Sequence, residues 1–423
     1  MQVTNWARNV VITPERFVRP SSVEQVQELV AGADRVRVLG SGHSFSEVAA
    51  TSGLLLSLGE LPLEVDVDAG ASTVRVSAGA RFGDLMGPLH AAGLALHNTG
   101  SLPHISVAGA CATGTHGSGS GNRCLAAAVV ELDLVGPDGA LRTVRAGDPD
   151  FDGSVVALGL LGVVTSLTLR VQPAYDVRQY VYDDLPFEAL VSDVDEVMDS
   201  AFSVSAFTRW RGPVFDMVWR KQLADAPEAP PSWLGARLAG SARHPVAGMP
   251  VENATQQLGV PGPWYERLPH FRMEFTPSSG DEVQTEYLLP RSEVAPALRA
   301  IDAVRDAIAP ALHVSEIRTA AADDLWLSPA YGRPTAALHF TWVDDPALVS
   351  RAVAALEGAL ADFEARPHWG KVFGMTRERV RAMYPRLGDF ESLMARHDPA
   401  GTFTNDFVSR YLTVPGGPPP RGS

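Results

Sequence analysis

The stretch that most constrains this chain is a short strand that runs directly into a glycine-containing loop. Val36, Val38 and Leu39 are apolar, and Gly40-Ser41-Gly42-His43-Ser44-Phe45 follows them. Glycine adopts backbone angles that other residues avoid, so such a loop can close its N–H groups around an anion. It is a poor dinucleotide fingerprint, because Phe45 stands where the third glycine would be, and it lacks the Lys-Ser or Lys-Thr of a P-loop. On this loop alone, a tight structural turn with an incidental histidine stays open.

Residues 100–122 form a second unusual stretch, in which almost every residue after Ile105 is small. Small residues let the backbone approach a ligand and leave many N–H and hydroxyl donors free. Two such loops in one domain, each following a strand, suit an extended ligand that contains a pyrophosphate. The alternative for residues 114–121 is a surface linker, although the small and apolar residues 107–113 are unusual in one. His116 is either a ligand contact or a histidine bonded to loop backbone.

The length and charge of the chain limit its function classes. At 423 residues it is too long for one ordinary core, so we expect two or three domains. The net charge of −14 argues against general binding to nucleic acid or anionic membranes. No export signal or membrane-length apolar run stands out. Cys111 and Cys124 lack metal-type spacing, so we expect a reduced, cytoplasmic protein without a metal site.

The spacing of apolar residues predicts an α+β fold and not a doubly wound sheet. Helical periodicity occurs over residues 23–30 and 82–89, and alternation with turn residues predicts hairpins over 63–77 and 129–144. Beyond residue 173 the chain is richer in aromatic residues and proline. There we predict strands at 283–289 and 336–343 and helices at 294–308 and 347–363. These patterns indicate a second domain over about 175–375 and a helical tail from Arg377.

Polar side chains recur along three segments of this second half. Glu316 and Arg318 fall on one face of a strand, as do His339 and Thr341, and Lys371 follows a turn. If the strands are neighbours, their polar faces line one pocket. The alternative is a pair of ordinary surface strands with salt bridges. No two histidines show a ligand spacing beside a carboxylate, so a metal site is not predicted.

Several longer segments carry a resemblance to a known family. They are residues 4–7, 37–45, 101–109, 112–119, 262–271, 326–332 and 367–373. Over almost its whole length the chain resembles the flavoprotein oxidases of the vanillyl-alcohol oxidase family, and within it the alditol (xylitol/sorbitol) oxidases. The glycine loop is typical of the wider family, whereas the later segments point to the alditol branch.

The resemblance implies a two-domain fold of the vanillyl-alcohol oxidase type. Residues 1–175, completed by the C-terminal segment 376–423, would form an α+β domain that binds FAD. Residues 176–375 would form a substrate-binding cap domain with an antiparallel sheet flanked by helices. In this branch the loop histidine is bonded covalently to the flavin ring, and His43 occupies that position. A neutral imidazole is a competent nucleophile near neutral pH.

The same resemblance assigns residues to the cofactor and the substrate. Those at FAD would be His43, Gly40, Ser41, Gly42, Ser44, Ser101, Ser106, Gly109, Ala112, Thr113, Gly114, Thr115, His116, Gly117, Gly162, Val163 and Asn405. Those at the substrate would be Ser101, Gln284, Glu316, Arg318, Thr341 and Lys371, with His339 nearby. Of these, Arg318, Lys371, Glu316 and His339 would be catalytic. Arg318 and Lys371 would flank the reacting hydroxyl, and the base would be His339 or solvent.

The implied activity is oxidation of the terminal primary hydroxyl of an alditol, with O2 reduced to H2O2. One alternative is an aldonolactone oxidase or dehydrogenase of the same flavin family, and another is a non-redox nucleotide-binding or phosphotransfer protein. The expected partners are a small polyol and O2, with no nucleic acid and no membrane, and the expected state is a monomer. Gly100, where relatives of this branch tend to carry alanine, is expected to open the flavin face to O2.

Overall fold

A small parallel sheet near the N-terminus carries the glycine loop. The computed structural model describes residues 1–275 and 281–415, and its parallel sheet has the strand order Arg16–Val18, Leu54–Leu56, Val36–Val38. Helix Val23–Ala31 connects the two outer strands, as the apolar spacing predicts. The Ser22 hydroxyl caps this helix by accepting the Gln25 N–H at 3.3 Å. The glycine loop therefore starts from a buried, paired strand.

The second sheet is antiparallel and contains both predicted hairpins. Its strand order is Leu141–Arg145, Val129–Val135, Val163–Arg170, Thr73–Ser77, Val65–Asp68. Helix Phe82–Ala91 follows the hairpin formed by Val65–Asp68 and Thr73–Ser77, as predicted. Two further pairs of short strands accompany the sheet, Val3–Thr4 with Val11–Ile12 and Leu94–Ala95 with Gln172–Pro173. Parallel and antiparallel sheets with intervening helices confirm the α+β class.

A ten-stranded antiparallel sheet dominates residues 176–367. In spatial order its strands are Ser232–Trp233, Ala236–Leu238, Asp176–Pro186, Val214–Leu223, Ser203–Thr208, Leu312–Ala320, Thr335–Trp342, Val283–Pro290 and Arg366–Pro367, and Gly262–Pro263 pairs with Asp176–Pro186. The helices of this region are Phe187–Ser192, Val194–Met198, Val294–Ala303, Arg305–Ile308 and Pro346–Ala359. The sequence predicts a single helix over 294–308. This prediction is wrong in one respect, because the observed helix is interrupted at Val304.

The central strands of the large sheet have two different faces. Ile317, Leu338 and Phe340 are buried in one apolar cluster with Leu298 and Ile301 of helix Val294–Ala303. Alternate residues point to opposite faces of a strand, so the residues between them face away from the helices. That second face carries the polar side chains of the predicted pocket.

The C-terminal part of the chain returns to the N-terminal sheets. Its helices are Arg377–Met383, Leu387–His397 and Asp406–Tyr411. Two further short helices, Val107–Ala112 and Phe151–Val155, belong to the N-terminal part of the chain. The Val36 N–H donates to the Thr402 carbonyl at 2.8 Å, and the buried Arg37 guanidinium donates to the Phe403 carbonyl at 2.7 Å. The domain limits at 175 and 376 stay predictions, and residues 416–423 of the predicted C-terminal segment lie outside the described residues.

None of the helices within residues 1–275 and 281–415 combines the length and the apolar character needed to cross a bilayer.

Candidate active site

A cavity of about 630 Å3 lies between the glycine loop and the polar face of the large sheet. It brings together residues that are more than 300 positions apart in the chain. The predicted residues that line it are Gly40, Ser41, Gly42, His43, Ser44, Ser101, Ser106, Gly109, Ala112, Thr113, Thr115, His116, Gly162, Gln284, Glu316, Arg318, His339, Thr341 and Lys371. Such a long, partly apolar cavity suits an extended ligand at one end and a small polar one at the other.

The glycine loop is fixed against its neighbours by backbone and hydroxyl contacts. Gly42 has a φ of 75°, and its carbonyl accepts the Trp6 N–H at 2.8 Å. The Ser106 N–H donates to the Ser41 hydroxyl at 3.0 Å, which joins the first loop to the second stretch. A Cβ on Gly40 would overlap the Ser106 hydroxyl. The loop thus presents bare backbone to the cavity, as close approach of a pyrophosphate requires.

His43 has the surroundings expected of a residue that is bonded to a ligand. Both ring nitrogens are buried, and neither makes a well-aligned hydrogen bond within the described residues; the nearby Ser41 backbone is the smallest influence on the pKa of the ring. The Trp6 ring stacks on the imidazole with 5.3 Å between centroids and 20° between planes. Burial, followed by the positive charges of His104 and Lys371, lowers the pKa of His43 to about 4. The ring is therefore neutral at pH values where an ordinary histidine is partly charged.

The second small-residue stretch is not a surface linker. Residues Val107–Ala112 form a short helix whose Gly109 would place a Cβ 2.7 Å from the Ser106 hydroxyl. His116 is bonded to loop backbone, with Nδ1 2.8 Å from the Gly117 carbonyl. Its Nε2 also lies 3.2 Å from Glu286 Oε1. The sequence did not predict this helix, because its small residues carry no apolar periodicity.

Four predicted cofactor contacts do not line the cavity, and the structure gives other functions to most of them. The Asn405 side chain donates to the Glu47 and Ala50 carbonyls, at 3.1 and 2.9 Å, and caps helix Asp406–Tyr411. A Cβ on Gly117 would overlap the Thr99 carbonyl, and one on Gly114 would lie 2.9 Å from the Pro329 ring. Val163 is a buried strand residue. The contact of these four residues with FAD stays a prediction.

Three adjacent strands supply the polar end of the cavity. Glu316 is paired with His339, and Thr341 with Gln284, so the predicted neighbourhood of these strands is confirmed. Glu286 is paired with His339 on the other side. This register places a row of charged and neutral polar groups on one face of the sheet. That face lines the cavity and is not an ordinary solvent-exposed surface.

Arg318 is the centre of this polar end. Its NH1 donates to the Ser101 hydroxyl at 3.2 Å and its NH2 to Glu286 Oε1 at 3.3 Å. Its Nε lies 3.4 Å from Glu316 Oε1. Only 7% of the residue is exposed, so the cation is balanced by two buried carboxylates and not by water.

Both carboxylates are held in the ionised form. Burial raises the pKa of Glu316, but the charge of Arg318 and the hydrogen bond from His270 outweigh it and hold this pKa well below its usual range. Burial likewise raises the pKa of Glu286, but the contact with His116 and the charge of Arg318 outweigh it, so this pKa is also lowered. Fixed charges in a buried cavity act more strongly on a bound molecule than they would in water.

Lys371 reaches the same place from the segment that follows the strand Arg366–Pro367. The His368 N–H donates to the Glu286 carbonyl at 2.9 Å, which attaches this segment to the large sheet. The Lys371 ammonium donates to Gln284 Oε1 and lies 5.1 Å from the centre of the Phe45 ring. Burial lowers the pKa of Lys371. Lys371 thus connects the polar end of the cavity with the glycine loop.

Several residues of the site were not predicted from the sequence. Glu286 is two positions from Gln284 on one strand, so the alternation already used for Glu316 and Arg318 contained its signal. His270 and Lys221 carry no such signal, because their contact joins a loop to a strand 49 positions away.

Comparison with known proteins identifies the two halves of the cavity. Residues 14–145 match the family described as FAD binding domain, and residues 280–411 match the family described as D-arabinono-1,4-lactone oxidase. The chain is 51% identical over 413 residues to the alditol oxidase of Streptomyces sp. (strain IKD472 / FERM P-14339), with 97% of this chain and 99% of that protein covered.

More distant relatives and solved structures agree with this relationship. The L-gulono-1,4-lactone dehydrogenase of Mycobacterium tuberculosis (strain ATCC 25618 / H37Rv) is 30% identical over 431 residues, covering 97% of this chain and 98% of that protein. A crystal structure of cholesterol oxidase from B. sterolicum matches with a TM-score of 0.78 at 15% identity, covering 97% of this chain and 96% of that one, which shows the fold alone. The chain belongs to the vanillyl-alcohol oxidase family of FAD-binding oxidoreductases, in the group that contains alditol oxidase.

Proposed function

We propose that this protein is an FAD-dependent oxidase that converts the terminal primary hydroxyl of alditols, such as xylitol and sorbitol, to the aldose. One observation carries the proposal: a single cavity holds the unpartnered His43 at one end and the buried Glu316–Arg318 pair at the other. The full-length similarity to alditol oxidase supports the substrate class. Localisation in the cytoplasm and a monomeric state belong to the same proposal.

The residues present fit FAD. The backbone of Gly40, Ser41 and Gly42, with Ser106 and Gly109, would hold the pyrophosphate, because side chains there would block its approach. His43 would be bonded covalently to the flavin ring, which accounts for its two buried nitrogens without partners. Bound FAD supplies the redox chemistry, taking a hydride from the alcohol carbon and passing the electrons to O2 to form H2O2.

Arg318 and Lys371 would bind the reacting hydroxyl. Arg318 is buried and Lys371 is half-buried at the polar end of the cavity, and Glu286, Ser101 and Gln284 fix them. Donors fixed before the reaction stabilise the negative charge that develops on the alcohol oxygen, and they need no reorganisation to do so.

His339 would accept the proton of that hydroxyl. Gln284 Oε1 can only accept, so His339 Nε2, which lies 3.0 Å from it, carries the hydrogen. The Nδ1 atom therefore keeps a free lone pair, and it lies 4.0 Å from Glu316 Oε2. Burial, followed by the charge of Lys371, lowers the pKa of His339 to about 3, so the ring is neutral before the reaction.

The other hydroxyls of the substrate would bond to Glu316, Thr341, Ser101 and Gln284. A site of buried hydrogen-bonding groups rejects analogues that leave those groups unpaired. The alternative substrate is an aldonolactone, which the match of residues 280–411 and the dehydrogenase of M. tuberculosis favour.

The test is peroxide production by the purified protein with xylitol, sorbitol, mannitol and glycerol beside L-gulono-1,4-lactone. We expect kcat/KM for xylitol or sorbitol to exceed that for the lactone by at least about tenfold. Faster turnover of the lactone would exclude the polyol assignment. Acid precipitation tests the covalent bond: the pellet should remain yellow, whereas His43→Ala should release its flavin.

A further inference from the structure

A buried relay of side chains lies behind the substrate end of the cavity. Lys221 lies on strand Val214–Leu223, is only 1% exposed, and does not line the cavity. Its ammonium is 2.9 Å from His270 Nδ1, and His270 Nε2 is 2.7 Å from Glu316 Oε1. The three side chains thus form a continuous line that ends at the substrate-facing carboxylate.

The hydrogen bonds of Lys221 assign the tautomer of His270. The ammonium has three N–H donors and three acceptors, which are the Leu268 carbonyl, the Pro269 carbonyl at 3.2 Å, and His270 Nδ1. Because Nδ1 accepts, the imidazole hydrogen is on Nε2. That hydrogen is donated to Glu316 Oε1.

The opposite arrangement of protons conflicts with Arg318. A neutral Lys221 amine would accept from His270 Nδ1, and His270 Nε2 would then need a protonated Glu316 as donor. The Arg318 Nε lies 3.4 Å from the same Glu316 oxygen and favours its negative charge. Burial lowers the pKa of Lys221, the charge of Glu316 opposes that shift and the charge of Arg318 adds to it, so the charged amine is inferred from its three acceptors and not from its pKa. The charged amine, neutral imidazole and carboxylate are therefore the consistent set.

The loop that carries His270 is fixed, so this geometry does not depend on a mobile side chain. The His270 and Phe271 N–H groups both donate to the Ser101 carbonyl, at 3.0 and 3.3 Å. The imidazole packs edge-on against the rings of Trp219 and Phe207, with interplanar angles of 62° and 61° and centroids 5.1 and 5.7 Å away. These aromatic neighbours restrict the orientation of the imidazole, which lies with Phe207 and Glu316 on the cavity wall.

We propose that Lys221 and His270 are positioning residues that fix Glu316 as an ionised acceptor, with Oε1 held by the protein and Oε2 left for a hydroxyl of the substrate. This inference rests on the proposed function and sharpens its specificity. A substrate must present an O–H donor to Oε2. A lactone that places only a carbonyl or ester oxygen there meets a negative charge and is repelled.

The groups around Glu316 decide how its charge responds to pH. They are Arg318 on the same strand, His339 on the neighbouring strand, His270 on the loop, and Lys371 and Lys221 as more distant cations. Loss of His270 removes the hydrogen bond that its Nε2–H donates to Glu316, while the carboxylate remains buried. The pKa of Glu316 then rises, so the acid-side fall in kcat/KM should begin at a higher pH in His270→Phe than in the native enzyme.

The central experiment is a double-mutant cycle in the holoenzyme. His270→Phe should lower kcat/KM for xylitol by about tenfold to hundredfold, mainly through KM, the range for a lost bond to a charged group. In a Glu316→Gln background the same change should cost less than about threefold, because the carboxylate is already absent. His244→Phe is the matched control, since this buried histidine packs on Phe271 without contacting Glu316. Equal costs in both backgrounds would overturn the proposal.

A spectroscopic measurement keeps the inference separate from the proposed function. In 15N-histidine NMR spectra of the holoenzyme, His270 should show a protected Nε2–H and a non-protonated Nδ1. Lys221→Met should alter that pattern, and His270→Phe should abolish the signal. A protonated Nδ1 in the native enzyme would overturn the inference even if the polyol is oxidised. If the expected signal is present but the polyol is not oxidised, the proposed function is overturned instead.

Discussion

Replacing Arg318 by methionine tests how the cavity activates the alcohol. The substitution removes the contacts to Ser101 and Glu286, at 3.2 and 3.3 Å, and the charge 3.4 Å from Glu316 Oε1. Loss of one fixed donor to a developing oxyanion costs about a hundredfold to a thousandfold in kcat. We expect a decrease of that size in kcat for xylitol, with a smaller change in KM.

The same substitution should also destabilise the fold. Removing one member of a buried ion pair costs about 3–5 kcal/mol, because the remaining charge is left uncompensated. Glu316 keeps its bond to His270, and Glu286 keeps its contact with His116, so we expect the lower end of that range. The assays are steady-state oxygen consumption and urea unfolding of the flavin-loaded protein.

Arg220→Met is the matched control for this experiment. Arg220 is also a buried arginine of the large sheet, where it donates to the Ser200 carbonyl at 2.6 Å and lies over the Trp233 ring at 4.6 Å. It does not line the cavity. Its loss should reduce stability and leave kcat unchanged. A kcat for Arg318→Met within about twofold of the native value, at full flavin content, would refute the assigned role of Arg318.

Three further predictions concern the cofactor cradle, the oxygen step and pH. Gly40→Ala should lower the flavin-to-protein ratio of the purified enzyme, because its Cβ overlaps the Ser106 hydroxyl. Gly100→Ala should fold normally, since the nearest atom to its Cβ lies 3.6 Å away, and should slow reoxidation by O2 in stopped-flow measurements. The melting temperature should fall between pH 7 and about 5, because buried neutral histidines such as His270 and His368, with pKa values of about 4 and 3, take up protons only on unfolding.

Controls and contrary outcomes differ among these three. Gly87→Ala, in helix Phe82–Ala91 with no atom within 4 Å of its Cβ, should retain full flavin content. Unchanged reoxidation in Gly100→Ala would reject the oxygen-access hypothesis. A melting temperature that rises on acidification would contradict the neutral state of the buried histidines.

Local patterns in the sequence predicted the secondary structure and one face of the site. Alternation placed Glu316 with Arg318 and His339 with Thr341, each pair on one strand face, and left open whether the strands are neighbours, which the pairing of Glu316 with His339 shows. The strand register that joins them to Gln284 and Glu286 depends on tertiary packing, which no single segment specifies. The resemblance supplied members that local patterns leave out, such as Ser101 and Gln284.

The remaining features arise from long-range contacts. The Lys221–His270–Glu316 relay joins a strand, a loop and another strand, and none of the three segments has a spacing that indicates the others. Asn405 is a contrasting case. Its position in the family suggested a cofactor contact, whereas its side-chain amide donates hydrogen bonds to the carbonyls of residues 47, 48 and 50. Capping of helix Asp406–Tyr411 gives this asparagine a role in the fold, and its contact with the cofactor stays a prediction.

Anaerobic addition of xylitol to the purified protein tests the central claim most directly. The predicted result is a yellow protein whose flavin absorbance bleaches on mixing with xylitol and returns when O2 is admitted, with one H2O2 formed per turnover. When Arg318→Met is mixed with xylitol in the same way, its flavin should bleach about a hundredfold to a thousandfold more slowly. A colourless protein, or a yellow one bleached by L-gulono-1,4-lactone and unaffected by xylitol, would contradict it.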